Sequence, residues 1–283
     1  MKSYLNLPAP AKINLFLHIV GRRSDGMHLL QSVFQLIDLC DYIDLEELDN
    51  GKIIREGDIS WDVEKDLCYR AAKLLQPLTP QKGVRITVKK NIPTGSGLGG
   101  GSSDAATVLI ALNQLWNLNL QREDLLKLAV KLGADVPFFV QGLNAFVEGI
   151  GEIITPLTLP EFTIHLYLPN AKLSTAEVFQ SDFLTRNTTS CKIQDFSDYI
   201  KNFDRTPWGR NDLEPVARFL SESVNEMFLE PELSKKIRLT GSGAAAFYVV
   251  ESEEVEDPSL NISKGIQHWK VRGLQKHPLY DWV

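Results

Sequence analysis

Hydrophobic and polar positions alternate with period two over residues 12–20. Ile13, Leu15, Leu17 and Ile19 fall on one face of a predicted strand, and Lys12, Asn14, Phe16 and His18 on the other. A face with three polar groups is either a solvated sheet surface or the wall of a site, and Asn, a poor strand former, favours the site. Apolar runs at 33–37 and 42–45 fit strands of the same sheet. Val84, Ile86 and Val88 alternate in the same way, and residues 162–168 read as a core strand.

Helical spacing replaces this alternation in four places. Leu67, Ala71, Leu74 and Leu75 predict a helix over 65–75, stopped by Pro77 and Pro80. Residues 105–116 place Ala105, Val108, Leu109, Leu112, Leu115 and Trp116 on one face. A helix over 122–132 has Glu123 and Asp124 in its first turn and Gly133 past its end. A fourth, over 211–229, buries Leu213, Val216, Phe219, Leu220 and Val224. Residues 169–210 are polar and irregular, with 185–190 an exposed loop, and 237–250 read as a short Gly/Ser turn leading to a strand. The pattern changes after Glu152, which puts a boundary near 156–160 and predicts domains of 1–157 and 158–283.

Composition narrows the function. The formal charge of −6 with no basic cluster argues against a nucleic-acid binder. Cys40, Cys68 and Cys191 are odd in number and lack CxxC spacing, so they read as small buried hydrophobes rather than disulfides or a zinc site. No apolar run reaches the roughly 20 residues of a membrane span, and the N-terminus shows no apolar signal segment, so a cytoplasmic protein with no membrane partner is expected. Oligomeric state is left open.

The chemistry concentrates in residues 93–106, where five of fourteen positions are Gly and three are Ser. Glycine at this density serves a backbone that takes positive φ or meets a ligand closely. A strand before it and a helix after it make an anion site, with a phosphate as the default ligand. Gly95-x-Gly97-x-x-Gly100 formally matches a dinucleotide fingerprint, so an oxidoreductase is the alternative from another class. The acidic residues that follow, Glu123 and Asp124, open a helix instead of ending a strand. The loop lacks the Gly-Lys-Ser/Thr of a P-loop, and the chain lacks protein-kinase HRD and DFG elements. Asp135 lies among Ala134, Val136, Pro137, Phe138 and Phe139, and is either a turn or cap aspartate or a carboxylate that needs a partner.

These motifs carry a family resemblance. Residues 93–106 resemble the phosphate loop of the GHMP kinases, and residues 10–15 and 239–243 resemble that superfamily's other two motifs, in the right order over nearly the whole chain. Residues 11–17, Asp25-Gly26-x-His28, Gly99 to Ser103 and Gly133 to Pro137 narrow the resemblance to the branch that phosphorylates the 2-hydroxyl of a cytidine-diphosphate-linked methylerythritol in non-mevalonate isoprenoid synthesis.

The resemblance implies an α+β, two-domain fold with a ribosomal-protein-S5-like N-terminal half, containing a left-handed βαβ unit, and a ferredoxin-like C-terminal half. It implies ATP and Mg2+, an N-terminal ATP-binding and catalytic domain and a C-terminal substrate-binding domain. Lys12 and Asp135 would be catalytic. Pro93, Thr94, Gly95, Ser96, Gly97, Leu98, Gly99, Gly100, Gly101, Ser102 and Ser103 would bind ATP, with Ser103 on the metal. Asn14, Met27, His28, Thr175 and Phe179 would contact substrate, and Thr240, Gly241, Ser242 and Gly243 form the C-terminal glycine motif. Met27 stands where the family commonly has Tyr against cytosine, and Asp66 where it usually has Asn near adenine. Rival readings are a mevalonate or homoserine kinase, which would lack the Gly-x-His segment paired with Ala-Asp-Val-Pro, and a non-catalytic nucleotide-binding module, which would leave Lys12 and Asp135 without a task.

Overall fold

The alternation at residues 12–20 belongs to a longer strand. β1 (Ser3–Arg22) pairs antiparallel with β2 (His28–Leu48), so the two apolar runs of the second segment are one strand. The structure, a computed structural model, describes residues 2–59, 61–196, 209–231, 233, 236–250 and 265–283. β2 is the spine of a six-stranded sheet. Its other edge pairs with β4 (Gly83–Lys89) through residues 42–48 and with β5 (Ala145–Gly149) through residues 30–34. β3 (Ile53–Gly57) runs parallel to β4, joined to it through α1 (Leu67–Leu75), and β6 (Ile153–Pro156) pairs with β5. Where β2 passes between its two partners, side chains take over the ladder. Leu36 N–H donates to Asn144 Oδ1 at 2.9 Å, and Asp41 Oδ1 accepts from the N–H groups of Asn91 and Ile92 at 2.6 and 2.7 Å.

α2 (Gly100–Leu115), α3 (Arg122–Ala129) and α4 (Val136–Gln141) join α1 and the first sheet in one core that includes Leu36, Ile43, Ile86, Leu109 and Phe138. A second, antiparallel sheet has the order β10 (Ile266–Arg272), β7 (Thr163–Pro169), β9 (Ala246–Val250), β8 (Arg238–Leu239). Ile13, Phe16 and Phe146 of the first sheet share a core with Ile164, Leu166 and Phe247 of the second. The fold is α+β with two sheets, as expected. The end of the chain then returns to the first sheet: Leu274 N–H donates to Leu36 O, His277 N–H to Gly142 O, and the Arg122 guanidinium to the carbonyls of Tyr280 and Val283.

Three expectations change. The helix predicted over 211–229 is two, α6 (Glu214–Leu220) and α7 (Glu222–Leu229), because the Ser221 hydroxyl accepts from Val224 N–H and restarts the helix. Phe219 and Leu220 therefore leave the buried face and are 66% and 42% exposed. α5 (Thr175–Gln180) lies inside the stretch read as irregular; only Val178 of it is buried, so no apolar periodicity marks it. α2 begins at Gly100, five residues before the predicted start. All three cysteines are free thiols, Cys40 and Cys68 buried and Cys191 half-buried. No helix among the described residues is long and apolar enough to cross a membrane.

Candidate active site

The polar face of β1 is buried rather than solvated, with Lys12, Asn14 and His18 all inside the protein. Lys12 Nζ donates to Asn14 Oδ1 at 2.7 Å, stands 4.7 Å from the centre of the Phe34 ring and lies 3.6 Å from Asp135 Oδ2. Asp135 occupies the cap position of α4 but makes no capping hydrogen bond, so its carboxylate is left to Lys12 and to solvent, at 33% side-chain exposure. Asn14 is held from three sides: its Nδ2 donates to Ser32 Oγ at 2.9 Å, its backbone N–H donates to Thr240 Oγ1 at 2.8 Å, and its Oδ1 accepts from Lys12; Ser32 Oγ in turn donates to Phe16 O at 2.5 Å. A carboxamide has two N–H donors, and Ser32 uses one of those of Asn14.

The glycine loop runs beside this pair. Gly95, Gly97 and Gly99 take φ of 72°, 81° and 75°, the left-handed region that other residues avoid. At Gly99 space matters as well, since a Cβ would stand 3.0 Å from the Phe139 ring and 3.2 Å from Lys12 Cγ. Lys12 N–H donates to Leu98 O and Ala245 N–H to Ser96 O, which stitches the loop to β1 and to the C-terminal glycine motif. Gly99 caps α2 without a side-chain hydrogen bond, so the first-turn N–H groups remain for an anion.

These residues open on one cleft of about 1220 Å³. Lys12, Asp135, Pro93 to Ser102, Asn14, Met27, His28, Thr175, Phe179, Gly241 and Ser242 all line it. Thr240 and Gly243 stand behind, the first on Asn14 and the second against Gly97. Ser103, expected on a metal, is fully buried behind the loop with its hydroxyl unpaired among the described residues and does not line the cleft, whereas Ser102 does.

At one end, His28 and Phe179 have ring centroids 5.3 Å apart, and Met27 is 46% exposed. Burial, then Arg186 and Arg22, lowers the His28 pKa. At the other end the Asp66 carboxylate is committed: it accepts from Tyr69 N–H as the cap of α1 and from Trp61 Nε1, and pairs with buried Arg55 at 3.2 Å. Under the start of α2, Lys90 bridges Asp41 and Asp104, and burial raises Asp104 to about 7 against the pull of Lys90. Sequence patterns gave no sign of Ser32, Arg186 or this triad. Each acts through a partner distant in the chain, and Arg186 sits in a stretch read as an exposed loop.

Residues 66–143 match the family described as GHMP kinases N terminal domain. A 4-diphosphocytidyl-2-C-methyl-D-erythritol kinase from Thiobacillus denitrificans is 48% identical over 98% of each chain. One from Ralstonia nicotianae is 46% identical over 96% of this chain and 94% of its own. The chain belongs to the 4-diphosphocytidyl-2-C-methyl-D-erythritol kinase family. A crystal structure of a 4-(cytidine 5'-diphospho)-2C-methyl-D-erythritol kinase superposes with a TM-score of 0.80 at 31% identity, covering 96% of this chain and 99% of the other. Homoserine kinase from Cytophaga hutchinsonii shares the fold, with a TM-score of 0.69 at 17% identity over 98% of this chain and 96% of its own. As a member of the 4-diphosphocytidyl-2-C-methyl-D-erythritol kinase family, the chain is an ATP-dependent small-molecule kinase.

Proposed function

We propose that the chain transfers the γ-phosphoryl group of ATP to the 2-hydroxyl of 4-(cytidine 5'-diphospho)-2-C-methyl-D-erythritol. The observation that carries this reading is the Lys12–Asp135 pair, 3.6 Å apart, standing between an uncapped helix start on one side and the His28–Phe179 slot on the other within one cleft. Asp135 takes the proton of the attacking hydroxyl, its oxygen bonds to the γ-phosphorus, and the bond to the β-phosphate oxygen breaks to release ADP. Lys12 orients the Asp135 carboxylate and steadies the developing alkoxide charge; general-base assistance of this kind contributes about 10²- to 10⁴-fold. The loop N–H groups and the start of α2 neutralise and align the triphosphate, which is most of what phosphoryl transfer requires.

The residues fit Mg2+ of the kind that rests mainly on nucleotide phosphates and keeps several waters. The Ser102 hydroxyl lines the cleft, and no cluster of three metal-ligating side chains exists among the described residues. Ser102, rather than Ser103, would hold the ion, which supplies charge neutralisation on the phosphates. Asn14 offers its remaining N–H to the erythritol side, while His28, Phe179, Met27 and Thr175 surround the cytosine. A thioether packs on an aromatic face or edge, so Met27 can close the slot that Tyr closes elsewhere. The test is ADP release with the cytidine diphosphate substrate beside mevalonate, homoserine and galactose. Turnover of a rival without turnover of the first overturns the proposal.

A further inference from the structure

We infer that Arg186 sets the tautomer of His28 and fixes the spacing of the base slot, making it a positioning residue for base recognition; this rests on the reading of His28 and Phe179 as base contacts. Arg186 Nε donates to His28 Nε2 at 3.1 Å. A guanidinium has donors only, so Nε2 must present a lone pair, and the neutral imidazole then carries its proton on Nδ1. Nδ1 makes no hydrogen bond within the protein among the described residues, and His28 lines the cleft. The imidazole therefore offers the cleft a donor, suited to an acceptor edge of a pyrimidine such as O2 or N3 of cytosine. A protonated His28 would turn an N–H toward Arg186, and the lowered pKa of His28 agrees with its staying neutral.

The same guanidinium holds the other wall. Nη2 donates to Phe179 O at 3.2 Å and to Ser181 O at 2.7 Å, and Nη1 donates to Leu184 O at 3.1 Å. Phe179 O is one of the carbonyls that the end of α5 leaves without intrahelical partners, so the fork closes that helix end with a positive charge. One side chain thus ties the strand that begins at His28 to the helix that carries Phe179, and sets the two rings 5.3 Å apart and tilted by 42°. Lysine could keep the donor to Nε2 but not the fork.

The experiment combines two-bond 1H–15N spectra of histidine-labelled protein at pH 8 with steady-state kinetics, for the wild type, Arg186→Lys and Arg186→Ala. The wild type should show His28 as the Nδ1–H tautomer, and Arg186→Lys should retain it. Arg186→Ala should move it toward Nε2–H, the form favoured by free imidazole side chains, and raise KM for the cytidine diphosphate substrate by about tenfold or more, the worth of a mismatched hydrogen bond. The value of kcat should stay within about twofold, since Arg186 does not touch the reacting groups. Arg186→Lys should give an intermediate KM, through the loosened Phe179. An Nε2–H tautomer in the wild type, which needs no variant to fold, overturns the inference while leaving His28 as a base contact. A tautomer that shifts in Arg186→Ala with KM unchanged overturns the recognition role and counts against His28 as a base contact.

Discussion

Replacing Ser32 by alanine removes one oxygen atom and frees the Asn14 carboxamide from its anchor on β2. The Ser32 hydroxyl spends its only proton on Phe16 O, so toward Asn14 it can only accept. That fixes the carboxamide: Nδ2 must face Ser32 at 2.9 Å, which leaves Oδ1 to accept from Lys12 at 2.7 Å. In Ser32→Ala, one N–H of Asn14 loses its partner in a part of the protein where Asn14 and Ser32 are both buried. An orphaned buried group of this kind costs about 1–3 kcal/mol of stability. With its anchor gone, the amide can turn its NH2 toward Lys12, and the ammonium loses its acceptor. The worth of a hydrogen bond to a charged group, about 1.5–3 kcal/mol, converts to a kcat lowered by about ten- to a hundredfold. KM for ATP should hold, since the hydrogen bonds of the Ser32 hydroxyl go to Asn14 and Phe16. Urea unfolding followed by circular dichroism reads the first effect and ADP release the second, with Ser32→Thr, which keeps the hydroxyl, restoring most of both. A Ser32→Ala enzyme with unchanged midpoint and kcat would refute the reasoning.

Three further outcomes follow from the geometry. Asp135→Asn should still fold, because buried Lys12 keeps Asn14 Oδ1 and the Phe34 ring as partners, and should lose about 10²- to 10⁴-fold in kcat; full-rate turnover sinks the assigned role. Gly99→Ala forces a strained φ and pushes a methyl against the Phe139 ring and the Lys12 stem, so both stability and kcat should drop, and a crystal structure of the variant should show Lys12 displaced from Asp135. His277 is buried with a pKa lowered by burial and then Arg122 to about 3, while its ordinary value is 6.5. Between these values the unfolded chain binds a proton that the folded chain does not, so stability is lost as pH falls through 6.5, at up to about 1.4 kcal/mol per unit. His277→Asn should therefore narrow its stability gap to the wild type as the pH is lowered from 7.5 to 4.5; parallel urea midpoints across that range would contradict the linkage.

What the sequence disclosed depends on how locally each residue's role is determined. Gly95, Gly97 and Gly99 were legible because positive φ is a restriction on one residue, and the strand at β1 was legible from neighbours two positions apart, but the irregularity between Asn14 and Phe16 was not, and Phe16, expected on the face of Lys12, shares a core with Ile13. The early start of α2 was not: glycine is a poor helix former, and it stands at position 100 because a Cβ there would lie 3.0 Å from Ile92 and 3.3 Å from the Asp41 carboxylate, neighbours that only the fold supplies. The same limit governs the site. Lys12 and Asp135 each looked unusual in its own segment and only the family resemblance joined them, while the anchor at Ser32 and the fork of Arg186 are contacts between distant segments that neither source supplied. Asp66 shows the consequence for function. Taken by itself, it is an Asn position that has lost a donor. In the fold its carboxylate is taken by Tyr69 N–H, Trp61 Nε1 and Arg55, so the aspartate serves the start of α1 and a buried charge pair. The single change Asp66→Asn would strand Arg55 without its counter-charge, at the cost of a broken buried ion pair, so any gain in nucleotide contact at this position requires changing Arg55 as well.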